Sequence, residues 1–187
     1  MTPIRVDAAT VEPVSVAELR LYLRLDPDDG GVEDDLLAGL IAAARASLEH
    51  AARRILVPGL YRIVLDAWPV EGLLPVPLSP LVALVRAGLA GSDGTVTDLP
   101  AGLIRPGPDP VEAPCLQCAG DLPDLAGRRI VVEVRAGFGG DGPPLPAPLH
   151  LAVLRLAAAR YEHRGDEADD APADAARLAA PLRRLRL

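Results

Sequence analysis

One stretch of the chain, residues 32–54, constrains the fold most, because its apolar residues recur at the three- and four-residue steps of one helical face. The positions on this face are Leu37, Leu40, Ile41, Ala44, Leu48, Ala51 and Ile55. Acidic residues at its start and arginines at its end match the polarity of the helix dipole. The pattern predicts a long amphipathic helix. Its expected cover is residues 149–164, the comparably long amphipathic stretch elsewhere in the chain.

Shorter elements on both sides of this helix suggest the rest of the fold. Ser15 and Glu18 fit a capping box at the start of a short helix, and residues 174–185 fit a last helix. In between, the pattern becomes that of strands. The predicted strands are residues 61–66, 81–89 and 129–135, and residues 100–127 are expected to form a long loop around a short extended piece at 103–105.

The predicted fold class is therefore α+β and mainly helical. We expect one domain over residues 1–187, in which two N-terminal and two C-terminal helices form a helix-bundle core. That core would comprise residues 14–56 and 147–187, with a β-rich insertion at 57–145.

Composition narrows the class of protein. The formal net charge is −7, which argues against a broad grip on nucleic acid phosphates. The first residues lack a secretory signal pattern, and no apolar run approaches the roughly 18 residues of a membrane span. A soluble cytosolic chain without a membrane partner is expected.

The sequence contains one motif that could carry redox or metal chemistry, the pair Cys115 and Cys118. A redox pair of this spacing normally places its thiolate at a helix N-terminus, whereas this pair is predicted to lie in a Pro/Gly loop. A zinc site would need two further ligands of suitable spacing. We therefore predict no catalytic residue, no metal site and no cofactor. A small thiol-redox module using this pair stays open as an alternative, as does a helical DNA-binding regulator using the basic residues of 149–164.

Charge is distributed unevenly along the chain. The first fifty residues hold ten acids against four arginines, whereas residues 181–187 hold three arginines and no acid. Arginine pairs with carboxylates, and its stem covers apolar surface. The C-terminal end is thus a candidate docking element.

Several segments, taken in order, resemble the head–tail connector (adaptor) family of long-tailed phages and gene transfer agents. The matching segments are PVSVAEL with YLRL at 13–25, DDLL at 34–37, LIAAAR at 40–45, YRIVL at 61–65, WP at 68–69, VRAGF at 134–138, YEHR at 161–164 and the closing residues 178–183.

This resemblance implies a structural virion component and not an enzyme. It implies a homo-oligomeric ring, of twelve copies, beneath the portal protein. Such a ring extends the DNA channel, lets DNA pass without specific binding and joins the capsid to the tail through a tail-side stopper or tail terminator protein. The implied location is the head–tail junction of a virion or phage-like particle assembled in the bacterial cytoplasm.

The resemblance also suggests where the partners bind. The C-terminal segment would engage the portal, and the acids around the start of the long helix would face a neighbouring subunit or the channel. The portal-interface candidates are Leu178, Leu182, Arg183, Arg184, Leu185, Arg186 and Leu187. The subunit-interface or channel candidates are Asp28, Asp29, Glu33, Asp34 and Asp35.

Overall fold

The computed structural model describes residues 2–7, 11–26, 30–164 and 173–184. The chain divides into two compact units. One comprises Met1–Ala9 and Pro58–Pro143 and contains the strands; the other comprises Thr10–Val57 and Pro144–Leu187 and contains the α-helices.

Within the described ranges the second unit contains four α-helices, and the third contacts each of the others. Their bounds are α1 Val16–Leu23, α2 Asp34–Ala52, α3 Ala147–Glu162 and α4 Ala173–Ala179, with a 3₁₀ turn at Ala180–Leu182. The predicted packing of the long helix α2 against the helix that starts near residue 149 is confirmed. None of the helices within the described ranges combines the length and apolarity needed to cross a bilayer.

Local signals determine where the first two helices begin and end. The predicted capping box is confirmed: the backbone N–H of Glu18 donates to Ser15 Oγ at 3.1 Å, and that of Ser15 donates to Glu18 Oε2 at 2.9 Å. Helix α1 ends at Arg24 and α2 at Arg53, both in the left-handed conformation with φ of 56° and 54°. This conformation lets the backbone N–H of the capping residue reach back to a carbonyl of the last turn.

The buried face of α2 differs from the predicted face by a small rotation. Its buried residues are Leu37, Ile41, Ala44, Leu48 and Ala52. Leu40 is only half-buried and Ala51 is exposed, so the prediction that Ala51 lies in the core was wrong. The three- and four-residue spacing is compatible with either set of positions. The side of α2 against which α3 packs decides which set is buried. That side cannot be predicted from the sequence of α2 alone.

The strands of the first unit form two antiparallel sheets. The larger has the order β1-β2-β8-β4-β5 and the smaller the order β3-β7-β6. The bounds are β1 Ile4–Arg5, β2 Gly59–Leu65, β3 Leu73–Pro75, β4 Leu81–Ala90, β5 Val96–Asp98, β6 Ile104–Pro106, β7 Cys115–Cys118 and β8 Arg129–Ala136. The most strongly alternating predicted strand, β8, lies at the centre of the larger sheet.

Alternation along β8 gives the larger sheet one buried face. Ile130, Val132 and Val134 are fully buried, and Val132 lies opposite buried Ile63 of β2. The side chains between them point to the other face, where Glu133 accepts hydrogen bonds from exposed Arg62. This is the two-residue period expected for a sheet with one solvated side.

The predicted mixture of helices and strands is confirmed, but the sheets are substantial: 24% of the described residues are in strands against 32% in helices. "Mainly helical" therefore overstates the helical share. The prediction of a long loop at 100–127 was wrong in part: the extended piece expected at 103–105 corresponds to β6, but the segment also supplies β7, and the two strands pair in the smaller sheet. Strands of three or four residues are too short to show a period. In addition, β7 pairs on one side with β3, where Cys115 lies opposite Pro75, a partner distant in sequence.

Candidate functional site

The acids at the N-terminal end of α2 bind side chains of their own unit. The Tyr161 hydroxyl donates to one carboxylate oxygen of Glu33, and Arg164 Nη1 lies 3.0 Å from the other. Arg20 Nη1 of α1 donates to Asp34 Oδ1 at 2.8 Å. The hydrogen bond to Glu33 raises the pKa of Tyr161. These two acids therefore tie the start of α2 to α3 and to α1.

The other predicted acidic candidates differ in their surroundings. Asp35 is exposed on the first turn of α2. Asp28 and Asp29 lie outside the described residues. Among the three described acids, Glu33, Asp34 and Asp35, Asp35 is thus the most exposed to solvent.

The C-terminal end of α2 holds the end of the chain. Arg54 is only 4% exposed, and its Nε donates to the carbonyl of Leu182 at 3.0 Å. The backbone N–H of Arg184 donates at 3.0 Å to the carbonyl of Ala52, one of the last carbonyls of α2. We call the residues brought together here, Arg53, Arg54, Arg183 and Arg184, the arginine cluster. The sequence does not reveal the role of Arg54, because its position is that of an ordinary exposed cation at the end of a helix.

The predicted portal-interface residues are partly anchored in the helical unit. Ala175 and Ala179 of α4 are buried and hold the segment in place. Leu178 and Leu182 are half-buried, Arg183 is exposed and Arg184 is half-buried. The last three candidates, Leu185, Arg186 and Leu187, lie outside the described residues.

The cysteine pair lies on strand β7 and not in a loop, which corrects the prediction. Residues three apart on a strand point to opposite faces and have Cα atoms about 10 Å apart. A disulfide needs Cα atoms closer than about 7 Å. Both thiols are free, and burial raises the pKa of Cys118. This geometry favours two separate structural thiols over a redox pair.

Helix α3 uses much of its positive charge inside its own unit. Arg160 Nη2 donates to Ser47 Oγ at 2.9 Å, Arg164 pairs with Glu33, and His150 Nε2 lies 3.3 Å from Glu18 Oε1. A recognition helix needs basic side chains that are available to phosphates and bases. The structure therefore gives little support to the DNA-binding alternative. The described ranges also contain no group of histidines, cysteines and acids that could hold a metal ion.

The known proteins that this chain matches are chains of solved structures. No family model matches the sequence, and no curated protein does. A chain in the neck of an empty gene transfer agent particle, computed with C6 symmetry, is 31% identical, with a TM-score of 0.86 over 100% of this chain and 97% of that chain. A chain in the virion of a native gene transfer agent particle is 31% identical with a TM-score of 0.84, again over 100% and 97%.

A third match is a chain in the neck of a native particle computed with C12 symmetry, 30% identical with a TM-score of 0.81 over the same shares of both chains. Sequence identity of about 30% over nearly the whole length of both chains shows that this chain and the matched chains are relatives and do not merely share a fold. The chain therefore belongs to the family of these gene transfer agent neck proteins and is a structural component of such a particle.

Proposed function

We propose that the chain is the head–tail connector (adaptor) of its particle and forms a ring of twelve copies beneath the portal. The observation that carries the proposal is the full-length match to a chain of a neck computed with C12 symmetry. A neck computed with C6 symmetry fits the same assembly, because a twelvefold ring also has sixfold symmetry. In this role the ring extends the DNA channel and joins the capsid to a tail-side stopper or tail terminator protein.

We further propose that the four helices form the core of the ring subunit, residues 14–56 and 147–187, and that residues 57–145 are an insertion in it. In a closed ring each subunit presents two different surfaces to its neighbours. A chain with a net charge of −7 suits a channel through which DNA must pass without being held.

Among the acids, we propose Asp35 as the described residue that faces a neighbouring subunit or the channel. Glu33 and Asp34 are bound within their own unit, so they support the ring indirectly by orienting the start of α2. Asp35→Asn should therefore weaken ring formation, measured by mass photometry, and leave thermal unfolding nearly unchanged. Asp34→Asn is the matched control and should lower the unfolding temperature, because the ion pair between Arg20 Nη1 and Asp34 Oδ1, at 2.8 Å, is lost. Equal ring formation by wild type and Asp35→Asn would remove Asp35 from the interface.

The portal contact is proposed to lie in the C-terminal segment, on Leu178, Leu182, Arg183 and Arg184 and on residues 185–187. A truncation that starts at Pro181 would be a poor test, because it removes the carbonyl that accepts from buried Arg54. A truncation after Arg184 keeps that carbonyl and the backbone N–H that binds α2. It should leave helix content intact and weaken binding to portal particles.

The experiment that tests the whole proposal is electron microscopy of the purified chain mixed with the portal protein of the same particle. We expect a ring of twelve subunits on one end of the portal, with a channel continuous through both. Portals without added density, or density that forms an open filament, would contradict the proposal. The truncated chain in the same mixture tests the C-terminal contact separately.

A further inference from the structure

The fold joins two pairs of arginines that are far apart in sequence. Arg53 and Arg54 follow α2, whereas Arg183 and Arg184 follow the last 3₁₀ turn. Two hydrogen bonds of 3.0 Å hold these segments together, from Arg54 Nε to the carbonyl of Leu182 and from the Arg184 N–H to α2. Arg53 and Arg183 are exposed beside this junction.

Compensation of the helix dipole does not account for this arrangement. An exposed cation in the last turn is enough for that purpose, and Arg54 is almost completely buried. Burying a guanidinium is unfavourable unless its N–H groups find acceptors. Here the Nε–H of Arg54 donates to the carbonyl of Leu182. Arg54 therefore acts as a positioning residue that fixes where Arg183 and Arg184 leave the helical unit.

The chemistry of the cluster indicates its partner. Guanidinium groups bind carboxylates and phosphates through paired hydrogen bonds. The net charge of −7 opposes association with DNA. Half-buried Leu178 and Leu182 in the same segment offer apolar contact, which a protein interface uses and a phosphate backbone does not.

We propose that Arg53 belongs to the same partner-binding surface as Arg183, that buried Arg54 positions this surface, and that the arginine cluster uses its exposed members to bind a protein surface rich in aspartate and glutamate. The inference rests on the proposed function, since the portal is taken to carry that surface. It adds Arg53, which caps the C-terminal end of α2, to an interface that the sequence assigns to the C-terminal segment alone.

The test is charge reversal at Arg53, with Arg24 as a matched control. Both arginines are exposed, and both end a helix in the left-handed conformation, so Arg53→Glu and Arg24→Glu make the same change in the same backbone geometry. Binding of the full-length variants to purified portal protein is measured at about 50 and about 200 mM salt. Arg53→Glu should lose at least about tenfold in affinity at low salt and show a weaker salt dependence, and Arg24→Glu should bind like the wild type.

A second variant, Arg54→Met, tests positioning directly, because methionine keeps an apolar stem and has no donor. Hydrogen exchange at the amide of Arg184 should become faster while helix content is retained, and portal binding should weaken. Exchange at that amide as slow as in the wild type would overturn the positioning role. Arg54→Lys, which keeps the positive charge and a group that can donate hydrogen bonds, should restore part of the protection.

The outcomes separate the two proposals. Wild-type protein that does not bind the portal overturns the proposed function and the inference together. Wild-type binding that Arg53→Glu leaves unchanged overturns the cluster alone. Titration of the same variants with a short DNA duplex completes the test, because loss of DNA affinity without loss of portal affinity would assign the cluster to DNA and contradict the inference.

Discussion

Truncation of Ile41 should cost the helical unit much more stability than truncation of its neighbour Leu40. Ile41 is 1% exposed on the face of α2 that forms the core, whereas Leu40 is half-buried. Ile41→Ala removes three buried carbon groups at about 0.8 kcal/mol each, and the cavity left behind raises the total to about 3–4 kcal/mol. Leu40→Ala removes the same number of groups from a site that already contacts water, so we expect about 1–1.5 kcal/mol.

Urea unfolding followed by far-ultraviolet circular dichroism measures this difference. The free energy of unfolding should fall by about 2 kcal/mol per molar urea. The unfolding midpoint should then fall by roughly 1.5–2 M for Ile41→Ala and by less than about 1 M for Leu40→Ala. The slope should be the same for both variants and the wild type. Equal shifts, or a larger shift for Leu40→Ala, would refute the assignment of the buried face and favour the one drawn from sequence spacing.

Four further predictions test other parts of the molecule. Gly39→Ala should stabilise α2 by about 0.5–1 kcal/mol, because an added Cβ meets nothing within 4 Å; Gly88→Ala should lower the melting temperature, since its Cβ would lie 2.8 Å from a backbone oxygen of β5. The hydrogen bond from the backbone N–H of Ser15 lowers the pKa of Glu18. Its contribution to stability is therefore present above the ordinary glutamate pKa range and is lost as pH falls through the lowered pKa. In urea titrations the stability difference between wild type and Glu18→Gln should shrink on acidification, and a constant difference would contradict the assignment. The thiol of Cys118 should react with a thiol reagent near neutral pH more slowly than free cysteine, because burial raises its pKa; a faster reaction would reopen the redox alternative.

Elements with strong local signals could be predicted from the sequence. The capping box at Ser15 requires only residues three apart, and the long helix α2 repeats its apolar pattern over several turns. Strand β8 alternates over its whole length and is the central strand of its sheet. By contrast β6 and β7 are too short to alternate usefully, and β7 also pairs with β3, a segment that no local rule brings beside it.

The candidate site shows the same division. The sequence identifies where charge accumulates, at the acids that start α2 and at the arginines that end the chain. It does not show which charges are used internally. Glu33 binds Tyr161 of α3 and Arg164 just after that helix, about 130 positions later in the chain, and Arg54 is buried against the carbonyl of Leu182. Both contacts arise only from the packing of helices that are distant in sequence.

The charged residues at the two ends of α2 therefore have different roles, although the helix dipole favours an acid at the N-terminal end and an arginine at the C-terminal end. At the N-terminal end Glu33 binds Tyr161 and Arg164, so Glu33→Gln should lower the unfolding temperature and leave portal binding intact once the protein is folded. At the C-terminal end Arg53 is exposed, so Arg53→Gln should weaken portal binding and leave the unfolding temperature nearly unchanged. Thermal unfolding and portal affinity measured on the same two variants test both statements. If Glu33→Gln weakened binding without a loss of stability, the acidic end would have to be part of the interface, and the division of roles along α2 would be wrong.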